Sequence, residues 1–213
     1  MSDVPFRPAV PLTRRSLLAA GATAGLATLL PRSARAAPNA AAVFGDPDVP
    51  VIGNPAGDVA VAVWFDYQCP FCKKVEPILK EIATQDGKVA ILMKDWPIFG
   101  EISTKAARAV WSARRQGRFE ALHDRLMAVK GRPDAARLDA EIASAGLDRA
   151  RLDADVATDA AAFDALVARN GAQAEAFGFP GTPAYVIGSF VFPGVLDADG
   201  FRQAIADARR RRG

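Results

Sequence analysis

The 213-residue chain is poor in the residues that build metal centres and covalent staples. It has two cysteines, Cys69 and Cys72, and one histidine, His123. A closed structural zinc site takes four ligands, so these three fall short of one. One intramolecular disulfide is the most the chain can form. A bridge across two intervening residues would close a very short loop and remove little unfolded-state entropy. No internal repeat and no low-complexity linker is visible. The apolar stretch Leu17–Leu30 is diluted by Gly21, Gly25 and alanines. It falls short of the roughly 20 residues of a comfortable membrane-spanning helix.

A true charge excess is also missing. The formal net charge is +3, but residues 1–36 carry five arginines and one acid. Taking these away from 27 basic and 24 acidic residues leaves 22 and 23. The basic balance belongs to the first segment, which removes the argument for nucleic-acid binding. One local run remains, Arg209–Arg212, read as a solvated tail after a last helix.

That first segment has the layout of an export leader. Arg14-Arg15-Ser16-Leu17-Leu18 opens the apolar stretch, and Ala34-Arg35-Ala36 offers small residues where a signal peptidase cuts. The pattern resembles a twin-arginine leader, with cleavage expected before Ala37. A retained membrane anchor is the competing reading. Export implies a periplasmic or other extracytoplasmic site of action, where disulfides form and persist.

Residues 37–58 are rich in Pro, Gly and Asn and read as an irregular arm with one short strand near Val49–Ile52. Val59–Phe65, VAVAVWF, has the length and continuous apolarity of a strand buried on both faces. A helix is expected from the first cysteine to Gly87, with Val75, Ile78, Leu79 and Ile82 on one face and a kink at Pro77. Lys88–Lys94 reads as a second strand. From Ser103 to Phe177 only helices are expected: Thr104–Gln116, Arg118–Lys130, Asp134–Ala145, one capped by Asp148, and Thr158–Phe177 with Gly171 as a weak point. A hairpin follows, Ala184–Ile187 and Phe190–Phe192, then a last helix Asp197–Arg211. The expected class is α/β. Residues 59–102 and 180–213 would form the core and 103–179 an inserted helical subdomain.

Cys-Pro-Phe-Cys therefore lies where a strand hands over to a helix. The reactive form of cysteine is the thiolate, and an ordinary thiol has a pKa of about 8.5. Unpaired N–H groups and the positive end of the helix dipole favour an anion at Cys69. Pro70 suits the first helical position because its missing N–H costs nothing there. Cys69 is read as the exposed sulfur that meets substrate, and Cys72, one turn on, as its more buried partner.

Phe65-Asp66-Tyr67, the Cys-Pro-Phe-Cys motif with Lys73, Gly146-Leu147-Asp148 and Gly181-Thr182-Pro183-Ala184-Tyr185 carry a resemblance over roughly Gly53 to Arg209. The chain resembles the DsbA-type thiol–disulfide oxidoreductases of the thioredoxin fold, in the branch with ScsC-like exported proteins. The resemblance implies Cys69 and Cys72 as the redox pair. It implies Pro70, Phe71, Thr182 and Pro183 at the substrate surface, with a cis Thr182–Pro183 bond lying against the cysteines. It also implies cysteine-containing, unfolded or partly folded client proteins, a DsbB-like or DsbD-like membrane partner, and neither cofactor nor metal. A monomer is expected, since about twenty residues after the expected cut are too few for an oligomerisation segment. Chemistry in either net direction fits, with isomerisation the poorer match.

The chain also departs from that pattern. Phe71 cannot give a thiolate the hydrogen bond that a histidine there would give. Val63 stands where many relatives carry an acid that moves protons. Asp66, Glu76, Lys73, Lys74 or solvent would have to replace it, and the strand register disfavours Asp66. His123 is expected to be a surface or packing residue, and Trp64 and Trp111 to be structural. Trp64, Tyr67, Trp96, Phe99 and Trp111 were the aromatic candidates for a groove near the cysteines, with packing the favoured role. Two other readings compete: a redox-inactive binding module or chaperone on the same fold, and an antioxidant enzyme. The lack of a third cysteine speaks against the latter.

Overall fold

The computed structural model describes residues 40–211. The expected leader and its cut before Ala37 lie outside the described residues. In chain order the elements are α1 (Ala40–Phe44), β1 (Val51–Gly53), β2 (Val59–Phe65), α2 (Pro70–Asp86), β3 (Val89–Asp95), α3 (Glu101–Ala113), α4 (Phe119–Ala128), α5 (Ala135–Ala143), α6 (Arg149–Ala176), β4 (Ala184–Ile187), β5 (Phe190–Phe192) and α7 (Ala198–Arg210).

Five strands form one mixed sheet in the order β1-β3-β2-β4-β5. β2 and β3 run parallel with α2 as their crossover, while the remaining pairs are antiparallel. β2 is central and nearly all of it is buried, which is why its sequence is apolar at successive positions rather than at alternate ones. Trp64 is fully buried and its indole N–H donates to the Asn170 carbonyl at 2.8 Å. Burying a side chain of that size contributes roughly 2–3 kcal/mol. Trp111 is likewise buried, with its N–H on the Asp48 carbonyl.

α2 packs on the sheet through Val75, Leu79 and Ile82. It runs through Pro77 without a break and stops at Gly87. There φ is +71°, a left-handed conformation that an L side chain would strain, and the Gly87 N–H closes on the Ala83 carbonyl. Helices α3 to α6 lie between β3 and β4. Three aspartates cap their helices by accepting from the third helical N–H: Asp134 for α5, Asp148 for α6 and Asp197 for α7.

Residues 149–176 form one 28-residue helix where two were expected. Thr158, the expected start of the second, turns its hydroxyl back to the Ala154 carbonyl and so lies inside a helix rather than capping one. Asp159, one residue on, is buried and accepts from Arg114 and Arg115. Gly171 does not interrupt the helix. Its neighbour Asn170 donates to the Asp95 carbonyl at 3.1 Å, and Gln173 to Ala42 at 2.7 Å. Tertiary bonds on both sides outweigh the low helix propensity of one glycine.

The arginine run differs from a solvated tail. Arg209 forks onto Asp58 and Asp86 with four contacts of 2.7–3.0 Å, and the Arg211 guanidinium lies over the Phe190 ring. The arm before β2 is pinned as well, by Arg169 on Asp46 and Asp48. Among the described residues, no helix is long and apolar enough to cross a membrane.

Candidate active site

Cys69 is the N-cap of α2, and its sulfur accepts from the Cys72 backbone N–H at 3.5 Å. Pro70 takes the first helical position, as its lack of a donor allows. The Thr182–Pro183 bond is cis, and the loop it shapes lies over the motif. The Cys69 thiol donates to the Thr182 carbonyl at 3.2 Å. The Thr182 side chain favours the thiolate form of both cysteines, and its buried hydroxyl has no partner at hydrogen-bond distance among the described residues.

The exposed sulfur expected at position 69 is not observed. Cys69 is 1% exposed and Cys72 2% exposed, because the Thr182 loop covers what the end of a helix alone would leave open. Both cysteines are free thiols. They differ in electrostatics rather than in exposure. The Cys69 thiol is pulled down to about 6, first by a hydrogen bond from the Cys72 thiol. Thr182 and the N–H groups of Cys72 and Phe71 add to this against an opposing cost of burial. The Cys72 thiol is pushed far up by burial, and further by donating to Cys69 and by the charge on that sulfur. One sulfur thus holds the charge and the other the proton.

Phe71, between them, projects outward and is 58% exposed. Ile98, 43% exposed, packs beside Gly181 in the covering loop. Phe71 thus lies between the two cysteines in sequence, and Ile98 lies beside the loop that covers them. The aromatic candidates for a groove turn inward instead: Trp64, Tyr67 and Trp111 are core residues, and Trp96 and Phe99 are partly buried against the core. A surface groove of about 610 Å³ begins at Pro70 and runs past Lys73, Lys74 and Met127 to Lys130.

Asp66 is held by three hydrogen bonds. Its carboxylate accepts from the Gln68 N–H, the Phe99 N–H and the Ser103 hydroxyl, which fixes the turn leading into α2. Lys73 is engaged too, its ammonium donating to the carbonyls of Val129 and Gly131 and tying α2 to the loop after α4. Val63 lines a small cavity beneath Cys72, as the strand register requires.

The match to known proteins follows this geometry. Residues 60–206 match the family model of the DSBA-like thioredoxin domain. This chain belongs to that family. The DsbA-like chain is 36% identical to a thioredoxin-like oxidoreductase of Silicibacter pomeroyi, with a TM-score of 0.77 over 81% of this chain and 99% of that one. It is 31% identical to the catalytic domain of Proteus mirabilis ScsC, with a TM-score of 0.70 over 80% and 94%. A periplasmic thioredoxin-like protein of Salmonella enterica serovar Typhimurium is 28% identical, with a TM-score of 0.67 over 80% and 95%. Among curated proteins it is similar to part of Na(+)/H(+) antiporters of Mycobacterium, 25% identical over 170 residues. The chain spans about a quarter of the length of those antiporters. The DsbA-like protein has a thioredoxin fold with a helical insertion.

Three buried polar residues, Asp95, Tyr67 and His123, have surroundings that the sequence did not give. Asp95 ends β3 fully buried, and burial first, then the charge of Asp66, holds its carboxyl well above the usual range. Tyr67 is buried with its hydroxyl 3.0 Å from His123 Nδ1. Of the two roles expected for His123, surface or packing, the structure shows packing: it is buried, and its Nε2 lies 3.4 Å from Glu76. The signal for His123 was present. Phe119, Leu122, His123 and Leu126 follow the i, i+3, i+4, i+7 spacing that puts all four on the inner face of α4. Glu76 is four residues after Cys72, hence on the same face of α2 one turn later.

Proposed function

We propose that the chain is an exported enzyme that exchanges disulfides with client proteins through Cys69 and Cys72. The observation that carries this is the opposed pair: a Cys69 thiol held near 6 at a helix N-terminus beside a Cys72 thiol held far above the ordinary value. In the oxidising direction a client thiolate attacks the Cys69 sulfur of the Cys69–Cys72 disulfide, and Cys72 leaves as a thiolate that takes up one proton. A second client thiolate then attacks the client sulfur of the mixed disulfide. The client keeps the bond, and Cys69 leaves as a stabilised thiolate. The reducing direction reverses each step.

Clients bind as extended, partly unfolded segments. Phe71 and Pro70 give an apolar rim, and the backbone beside Thr182 and Pro183 offers strand-like pairing. The exposure of Phe71 supports this role. The leader resembling a twin-arginine signal and the periplasmic Salmonella relative support an extracytoplasmic location reached by that route. A DsbB-like oxidase or a DsbD-like reductant in the membrane would reset the pair, and the protein would act as a monomer.

The experiment is a trap. Cys72→Ser expressed with its own leader should accumulate mixed disulfides between Cys69 and envelope proteins, released by dithiothreitol. Cys69→Ser should trap none. Equal trapping by both variants, or by neither, would refute the assignment.

A further inference from the structure

A buried Cys72 that leaves as a thiolate must receive a proton, and one that attacks must lose it. Val63, on the strand beneath, can do neither. Under Cys72 lies a cavity with about 20 Å³ of room for water centres. That is room for about one water. Val63, Cys72, Glu76, Lys80 and Tyr185 are among its walls.

We infer that Glu76 is the proton carrier for Cys72, acting through one water in this cavity, and that His123 and Tyr67 position it. The inference rests on Cys72 being the buried partner of the redox pair. Tyr67 fixes the arrangement. Burial above all keeps its hydroxyl protonated. We assign it as the donor to His123 Nδ1, 3.0 Å away. The other imidazole nitrogen, Nε2, then carries the hydrogen that points at Glu76, a long contact of 3.4 Å. The ring itself cannot drift, being fully buried, stacked on Phe119 and edge-on to Phe65. Glu76 keeps 14% of its side chain exposed, enough to exchange protons with solvent at the groove by Pro70.

The step balances. As a client thiolate bonds to the Cys69 sulfur, the Cys69–Cys72 bond breaks and its electron pair goes to Cys72. The Glu76 carboxyl gives a proton to the water, which gives one to Cys72. Glu76 is then a carboxylate facing His123 Nε2–H and is reloaded from solvent. When Cys72 attacks, the proton returns by the same route.

The other ionisable groups around Glu76 are engaged or misplaced. Lys80, on α2, pairs with Asp124 and Glu120 of α4. Lys73 holds the two backbone carbonyls beyond α4, and Lys74 lines the outer groove rather than the cavity. Tyr185, from β4, is kept protonated by burial and by the cysteines. Asp95 is on the same face of β3 as Ile91 and Met93, but unlike them it does not line the cavity.

The test uses the oxidised full-length mature protein opened by dithiothreitol, followed by rapid acid quench at pH 6–7 in H₂O and D₂O. Glu76→Gln keeps the size and a hydrogen bond but cannot shuttle a proton. It should open about 10- to 100-fold more slowly. The solvent isotope effect should fall with it, while the equilibrium constant against glutathione changes less than twofold. Tyr67→Phe, which frees the imidazole, should slow opening several-fold with the same loss of isotope effect. A purely structural role for these residues would move the equilibrium or the melting temperature and leave the isotope effect alone. If both variants open at the wild-type rate with the wild-type isotope effect, the relay is wrong. A wild-type protein that dithiothreitol cannot open would instead overturn the redox pair itself.

Discussion

The Cys69 thiol and the Thr182 carbonyl oxygen are 3.2 Å apart although 113 residues separate them in sequence. That contact favours the protonated sulfur, while the Thr182 side chain favours the thiolate. Thr182→Val removes the hydroxyl and keeps the carbonyl. It should raise the Cys69 pKa by about one, equivalent to ~1.4 kcal/mol. Alkylation rates of the reduced variant against pH give the value directly.

Phe71 offers no hydrogen bond to either sulfur. Phe71→His supplies one and, when the imidazole is protonated, a positive charge. Since Phe71 is 58% exposed, the fold should tolerate the change. The Cys69 pKa should fall further and the pair should become more oxidising by about 30 mV per ~1.4 kcal/mol gained by the thiolate. Equilibration with glutathione measures this, and an unchanged or more reducing potential would contradict it.

Stability of the reduced protein should depend on pH through the same sulfur. The folded Cys69 pKa, about 6, lies below the ordinary thiol value of about 8.5. The unfolded state therefore binds more protons between these values, and stability rises with pH there. The contribution is complete above about 8.5 and is lost as pH falls through 6. The full shift corresponds to about 3.4 kcal/mol, reduced to roughly 2–3 by solvent screening. Cys72 is shifted the other way, so its contribution is complete below about 8.5 and lost above. The oxidised protein has neither. Urea unfolding of both forms from pH 5 to 8.5 should show the reduced form gaining on the oxidised one.

Asp159 tests the fold apart from the chemistry. It is buried, with Arg114 and Arg115 as partners. Asp159→Ala should lower stability, because both partners lose their anion and α6 loses its tie to the end of α3. Denaturant midpoints measure the loss. The folded variant should still exchange disulfides at the wild-type rate.

Much of this was legible in the sequence where local signals agree with tertiary ones. VAVAVWF at 59–65, the helix opening at Pro70 and the hairpin at 184–192 carry apolar runs, a capping residue and a glycine turn that point the same way. The cis bond at Pro183 came from the resemblance, not from turn chemistry. What stayed hidden depends on partners distant in sequence. Thr158 reads as the start of a separate helix until Arg114 and Arg115 are placed beside Asp159. Cys69 reads as exposed until the Thr182 loop is laid over it. Arg209 reads as a tail until Asp58 and Asp86 meet it. Glu76 and His123 are 47 residues apart, so no local pattern pairs them.

Ultraviolet absorbance of the thiolate near 240 nm, followed from pH 4 to 10 in the reduced protein, tests the central claim most directly. One sulfur should titrate with a midpoint near 6, and Cys69→Ser should abolish that step while Cys72 stays protonated across the range. A midpoint at or above about 8.5, or a low step that survives in Cys69→Ser, would contradict the account.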